Sequence, residues 1–251
     1  MKRLISIGLA VLMSLSLCIP AVATDDVPVS NGKVPIPIAS AQAARSTSNR
    51  SYLKALRSPR IADSEIAEHY AYNSSIDTLN GNYIISQGYC PNYTVGGATF
   101  AGVGCEIAAT YNAMKAIGRQ TTLPSLIRNF EKSGYLMLGG NAGSDPFAIG
   151  EFFSGGGINY VEYAEKNNYL LFKNAVEHRD AYTVAYIVSF WIGTAQLHTV
   201  MFLPKTDGRL EVYNISSRYN DTWPCDSVAD ISDNMADNFI VGYVIKRDNR
   251  R

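Results

Sequence analysis

The chain has 251 residues, 47% of them hydrophobic and 18% charged, with 22 basic against 22 acidic side chains, four cysteines and three histidines. That length can bury a substantial core in one or two domains, which excludes intrinsic disorder and a miniprotein held together by disulfides. The balanced charge argues against a polyanion-binding surface, so no nucleic-acid partner is expected.

At the N-terminus, Lys2 and Arg3 precede an apolar run over residues 4–20, followed by Ala21-Val22-Ala23. Small residues in that place suit a signal peptidase, and the run is shorter than the ~20 residues that span a bilayer. A signal peptide over 1–23 and a secreted protein without stable membrane insertion are therefore expected. Cleavage after Ala23 removes Cys18, together with Lys2 and Arg3, and leaves a slightly acidic chain with an odd number of cysteines: Cys90, Cys105 and Cys225. In an oxidising compartment an odd count points to one disulfide plus one free thiol, or to an intermolecular bridge.

Residues 24–60 are rich in Ala, Ser, Pro, Asn and Arg and lack an apolar period, which predicts a flexible linker or a removable pro-segment. The remainder, 61–251, reads as a single domain. It opens with a short helix over 63–72, capped by Asp63 or Ser64. Helices follow over 104–117, 123–133 with Thr122 or Leu123 at its start and Pro124 in its first turn, and 146–153 capped by Asp145. A short strand and a helix near 170–178 come next. Strands are then predicted over 182–191, 198–203, 210–215 and 239–246. Helices followed by antiparallel strands make an α+β pattern. Five Asn-X-Ser/Thr sequons, at Asn49, Asn73, Asn92, Asn214 and Asn220, are common enough by chance in such a chain that they do not identify a glycosylating host.

Cys105 stands out among the cysteines because a glycine-rich stretch, Gly102-Val103-Gly104, leads it into an amphipathic helix. A thiol in the first helical turn feels the positive end of the peptide dipoles, which favours the thiolate. Such a nucleophile needs a base, and the base an orienting partner. His198 opens one predicted strand and Asn214 ends the next, after a turn at Thr206-Asp207-Gly208, so hairpin geometry makes them neighbours. His69, beside Glu65 and Glu68, and His178, among Glu177, Arg179 and Asp180, read as solvated. Spacings that would hold zinc, such as Cys-X-X-Cys or His-X-X-X-His, do not occur, and no metal or cofactor is implied.

A Gly-Cys at a helix start, a His opening a strand and an Asn ending the following strand resemble the papain-like cysteine peptidases, specifically the C39-like group. The likeness runs from about residue 82 to residue 245, and Asn82-Tyr83-Ile84-Ile85-Ser86-Gln87 is similar to the strand-then-Gln segment of that group. The resemblance implies a papain-like α+β fold, with a helical half carrying the nucleophile helix packed on an antiparallel sheet. It also implies Cys105 as nucleophile, His198 as general base and acid, Asn214 as orienting residue and Gln87 as oxyanion donor. The implied activity is hydrolysis of peptide or protein substrates through a thioester acyl-enzyme. Two departures are visible. Glu106-Ile107 stands where the group commonly has Gly-Pro, placing a negative charge near the thiolate, and Asn214 stands where Asp is common.

If Gln87 and Asn214 line one cleft, the loops bearing Cys90 and Cys225 approach each other. A Cys90–Cys225 disulfide is then expected, leaving Cys105 alone. Two other classes stay open: a cell-wall amidase or endopeptidase using the same Cys-His pair, hence a cell-wall-associated protein, and a noncatalytic secreted binding domain whose sixteen tyrosines would suit a recognition surface.

Overall fold

The computed structural model describes residues 34–35, 48–58, 61–193, 196–215 and 221–247. The expected signal peptide, with Cys18, lies outside them, as does Asn220. The chain is mixed α+β. A seven-stranded antiparallel sheet contains β1 (Val34–Pro35), β4 (Tyr160–Ala164), β5 (Thr183–Ile192), β6 (Gln196–Pro204), β7 (Leu210–Tyr213), β8 (Trp223–Cys225) and β9 (Phe239–Lys246). Its order is β4-β9-β5-β6-β7-β8, with β1 paired to β6 off this path. A separate hairpin joins β2 (Thr94–Val95) to β3 (Ala98–Thr99). The helices are α1 (Asn49–Ala55), α2 (Asp63–Ile76), α3 (Phe100–Val103), α4 (Cys105–Ala116), α5 (Leu123–Lys132), α6 (Ala148–Gly155), α7 (Tyr169–Glu177) and α8 (Met235–Asn238).

Side-chain alternation gives the sheet two apolar faces. Ala185, Ile187 and Trp191 on β5, with Leu197 and Met201 on β6, turn towards the core that holds α4. Their neighbours Tyr186, Val188, Phe190, Val200 and Phe202 turn the other way, into a second core with Phe172 of α7. Because both faces are covered, these strands read as continuous apolar runs. Helix α4 is buried from Cys105 through Met114, as a central helix enclosed by the sheet and α5 must be. Thr122 caps α5 by accepting the Ser125 N–H at 3.3 Å, with Pro124 in the first turn.

Several expectations are corrected. The segment at 82–86 is irregular and leads into a 3₁₀ turn at Gln87–Tyr89 instead of forming a strand. The N-cap of α2 is Ala62, without a side-chain bond, and α6 is preceded by Phe147, whose N–H bonds Asp145 Oδ1 at 2.9 Å.

Residues 48–58, expected within a flexible linker or pro-segment, belong to the fold. Leu53 is buried, Ser48 Oγ donates to Glu165, and the N–H groups of Asn49 and Arg50 close on the same carboxylate. The carboxylate thus satisfies the open start of α1 from a distant part of the chain. Arg57 bonds the buried Asp145 at 2.7 Å and Glu151 through both terminal nitrogens. None of these partners is local, so composition does not reveal the docking. No helix among the described residues is long and apolar enough to cross a membrane.

Candidate active site

Cys105 is the first residue of α4, with the short α3 just ahead of it. Gly104 makes this junction possible: a Cβ there would lie 2.4 Å from the Phe100 ring. Cys105 faces β6, but its thiol is bonded to Glu106. The Sγ–H donates to Glu106 Oε1 at 3.2 Å, and Thr199 Oγ1 donates to the same oxygen at 3.1 Å. Ser189 Oγ lies 2.8 Å from Thr199 Oγ1. The single Thr199 hydroxyl hydrogen is spent on Glu106, so Ser189 is the donor in that pair.

His198 is next to Thr199 on β6, and strand alternation sends its side chain to the opposite face. It stands across from Phe190 in the ladder, edge to face with that ring at 5.8 Å. Its Nε2 is 2.7 Å from the backbone oxygen of Asn214. A carbonyl can only accept, so Nε2 carries a hydrogen. The expected nearness of His198 and Asn214 is therefore present, though it runs through the Asn214 main chain and not its amide.

The Asn214 side chain is committed elsewhere. Oδ1 accepts the Gln87 N–H at 2.9 Å, while Nδ2 donates to Gln87 Oε1 at 2.9 Å and to the Thr199 carbonyl at 3.4 Å. Asn214 has φ 65°, a left-handed conformation that asparagine tolerates and these bonds fix. Gln87 in turn donates both amide hydrogens, to the carbonyls of Phe100 at 3.2 Å and Ala101 at 3.0 Å. It clamps the segment just before Cys105, and in this closed arrangement those hydrogens are not directed at an oxyanion. The structure thus joins Gln87, Asn214 and His198 in one chain of hydrogen bonds and places Cys105 beside Thr199, without a hydrogen bond between Cys105 and His198.

All four expected residues are enclosed: Cys105 is 0% exposed, Gln87 and His198 1%, and Asn214 2%. Burial, then the adjacent Glu106 charge, pushes the Cys105 thiol well above its ordinary range, so the thiol is protonated here. Burial likewise raises the Glu106 carboxyl from 4.5 to about 7, against the hydrogen bonds from Cys105 and Thr199 and the pull of the nearby Glu106 and Ser144 backbone N–H dipoles. Glu106 Oε2 is buried without a hydrogen-bond partner, as is Ser144 Oγ. Sequence reasoning noted Glu106 only as a departure and missed Thr199 and Ser189. The i, i+2 alternation of the β6 run puts Thr199 and His198 on opposite faces, but with both faces apolar it does not say which of them meets the helix.

The remaining candidates separate. His69, expected to be solvated, has Nδ1 2.8 Å from Oε1 of the buried Glu131, which also accepts the Gly96 N–H; His178 is exposed. The expected Cys90–Cys225 bridge is not formed. Both are free thiols, Cys90 packing against the core around α4 and Cys225 lying in the second core. Burial first, then neighbouring carboxylates, raises Cys90 to about 12 and Cys225 to about 11. Among the described residues no group of three His, Cys, Asp or Glu side chains could hold a metal ion. An open groove lined by Asp77, Tyr111, Lys115 and Arg119 lies towards the other end of α4. In comparisons with known proteins, no protein-family model and no curated protein matches the chain.

Proposed function

We propose that this protein is a secreted thiol hydrolase of papain-like type, cleaving peptide bonds by acyl transfer to Cys105. The observation that carries the proposal is the network in which Gln87 and Asn214, 127 positions apart, bind each other, the strand bearing His198 and the segment leading into Cys105. Such a network fixes a thiol at a helix start and holds the strand next to it, and a fixed thiol is the first requirement of nucleophilic catalysis. His198, whose Nε2–H the Asn214 carbonyl holds, lies on the face of β6 away from Cys105, so the Cys-His-Asn form of this mechanism requires that strand to be repositioned when the site opens. The closed site corresponds to a resting state that must open for a substrate.

The test offers the purified protein casein and, separately, peptidoglycan. Cleavage of casein that is lost in Cys105→Ala supports the peptidase, whereas turnover of peptidoglycan alone moves the substrate to the cell wall. Equal turnover by wild type and Cys105→Ala sinks the thiol mechanism. A second reading, a noncatalytic secreted binding domain, is favoured by the complete burial of Cys105; absence of turnover on both substrates is its expected result.

A further inference from the structure

We infer that Glu106, and not His198, is the group that takes the proton of Cys105. The inference rests on Cys105 being the nucleophile, as proposed above, and reassigns the base.

Three observations converge on Glu106. Its Oε1 already receives the Cys105 Sγ–H at 3.2 Å, which is the contact a general base must make with a nucleophile. Thr199, supported by Ser189, anchors that oxygen at 3.1 Å and so fixes the carboxyl plane. Oε2 is buried without a hydrogen-bond partner, leaving one face of the carboxyl open to a proton. Across β6, the His198 ring lies on the other face of the sheet, and its Nε2–H is held by Asn214.

The surroundings determine how the carboxyl titrates. Cys105 is the titratable group in contact with Glu106. Strands β5 and β6 contribute the hydroxyls of Ser189 and Thr199, and the loop ahead of α6 contributes Ser144. Next to Ser144, Asp145 is paired with Arg57; on α5, Glu131 is paired with His69. No Lys, Arg or His among the described residues pairs with Glu106, and burial brings its carboxyl to about 7. It is therefore divided between acid and base near neutral pH, where a proton shuttle is most effective.

The step balances without a co-reactant other than water. As Sγ bonds to the carbonyl carbon of the substrate, the thiol proton passes to Glu106. When the C–N bond breaks, Glu106 returns that proton to the leaving amine. Water then attacks the thioester and gives a proton to Glu106, which passes it to Sγ as the S–C bond breaks. The nucleophile is a neutral thiol deprotonated during attack, unlike a preformed thiolate-imidazolium pair.

The two mechanisms differ in their pH profiles. Iodoacetamide alkylation of Cys105 is followed in the nonreduced protein from pH 5 to 10, alongside casein hydrolysis, for wild type, Cys105→Ala, Glu106→Gln and His198→Ala. The expected wild-type rate climbs through about pH 7 and levels off. Glu106→Gln removes that rise, leaves only the alkaline limb of a plain thiol and slows hydrolysis by roughly 100-fold or more, while His198→Ala retains the rise. As a readout that needs no variant, the infrared S–H band of wild type shifts through the same pH as its acceptor changes from carboxylate to acid. Fast alkylation that stays level down to pH 5 and is lost in His198→Ala overturns the role of Glu106 and leaves Cys105 as nucleophile. So does an unchanged profile and unchanged hydrolysis in Glu106→Gln. Hydrolysis that survives Cys105→Ala, or a wild type that neither alkylates nor hydrolyses, overturns the thiol hydrolase itself.

Discussion

Glu106 is a carboxyl enclosed at a helix start with a thiol as its nearest acid, and its effect on stability has a definite sign. Its pKa is higher in the folded chain, about 7 against an ordinary 4.5, so the folded state holds the proton more tightly. The resulting stabilisation is fully present below pH 4.5 and is lost as pH rises through 7. That gap corresponds to about 3 kcal/mol. Glu106→Gln removes the titration, so urea melts of the variant are expected to vary less between pH 5 and 8 than those of wild type; parallel curves would refute the buried, cation-free carboxyl. At this scale the sequence was partly informative. Glu106 was visible as an unusual neighbour of Cys105, but its bond to Thr199 depends on which face of β6 turns to α4. In a strand apolar on both faces, composition alone does not show that direction.

The elements were easier to read than their contacts. The helical period and Gly118 placed α4 within a residue at each end, and Thr122 and Pro124 marked the start of α5, because those signals are local. Helix α1 has only long-range anchors: the carboxylate of Glu165, the Trp191 Nε1–H donating to Asn49 at 3.3 Å, and burial of Leu53. Leu53→Ala is therefore expected to cost about 2–5 kcal/mol, as for a core leucine. Urea unfolding would show a loss near zero if residues 48–58 were an undocked tail. Between β9 and α7 the fit is closer still. A Cβ on Gly242 would fall 2.5 Å from the Phe172 ring, so Gly242→Ala should displace that ring and destabilise by about 1–3 kcal/mol. Phe172→Leu in the same background should recover part of the loss, since it removes the obstructing ring atoms.

At the scale of the whole molecule, one sheet separates two cores, and this separation keeps Cys90 and Cys225 apart here. The loops were expected to meet because Gln87 and Asn214 share one site; those two residues do bond each other, but Cys90 packs against one core and Cys225 lies in the other, and both are thiols. A further long-range tie is ionic. Arg57 reaches from the N-terminal segment to Asp145, whose side chain is fully buried, and to Glu151 on α6. Burial raises the Asp145 pKa and Arg57 pulls it back down. Removing the guanidinium leaves a buried carboxylate without its cation, which typically costs about 3–5 kcal/mol. Arg57→Ala should accordingly lower the melting temperature at pH 7 by roughly 6–20 °C for a domain of this size. The deficit should shrink towards pH 4, because the unpaired Asp145 has a raised pKa in the folded state and is tolerated once protonated. Arg57→Ala/Asp145→Asn, which has no charge to bury, should lose less than Arg57→Ala at pH 7 and show little of that pH dependence. A deficit equal in both variants and constant from pH 4 to 7 would mean that Arg57 acts through the packing of its alkyl chain, with the ion pair contributing nothing to the docking of the N-terminal segment.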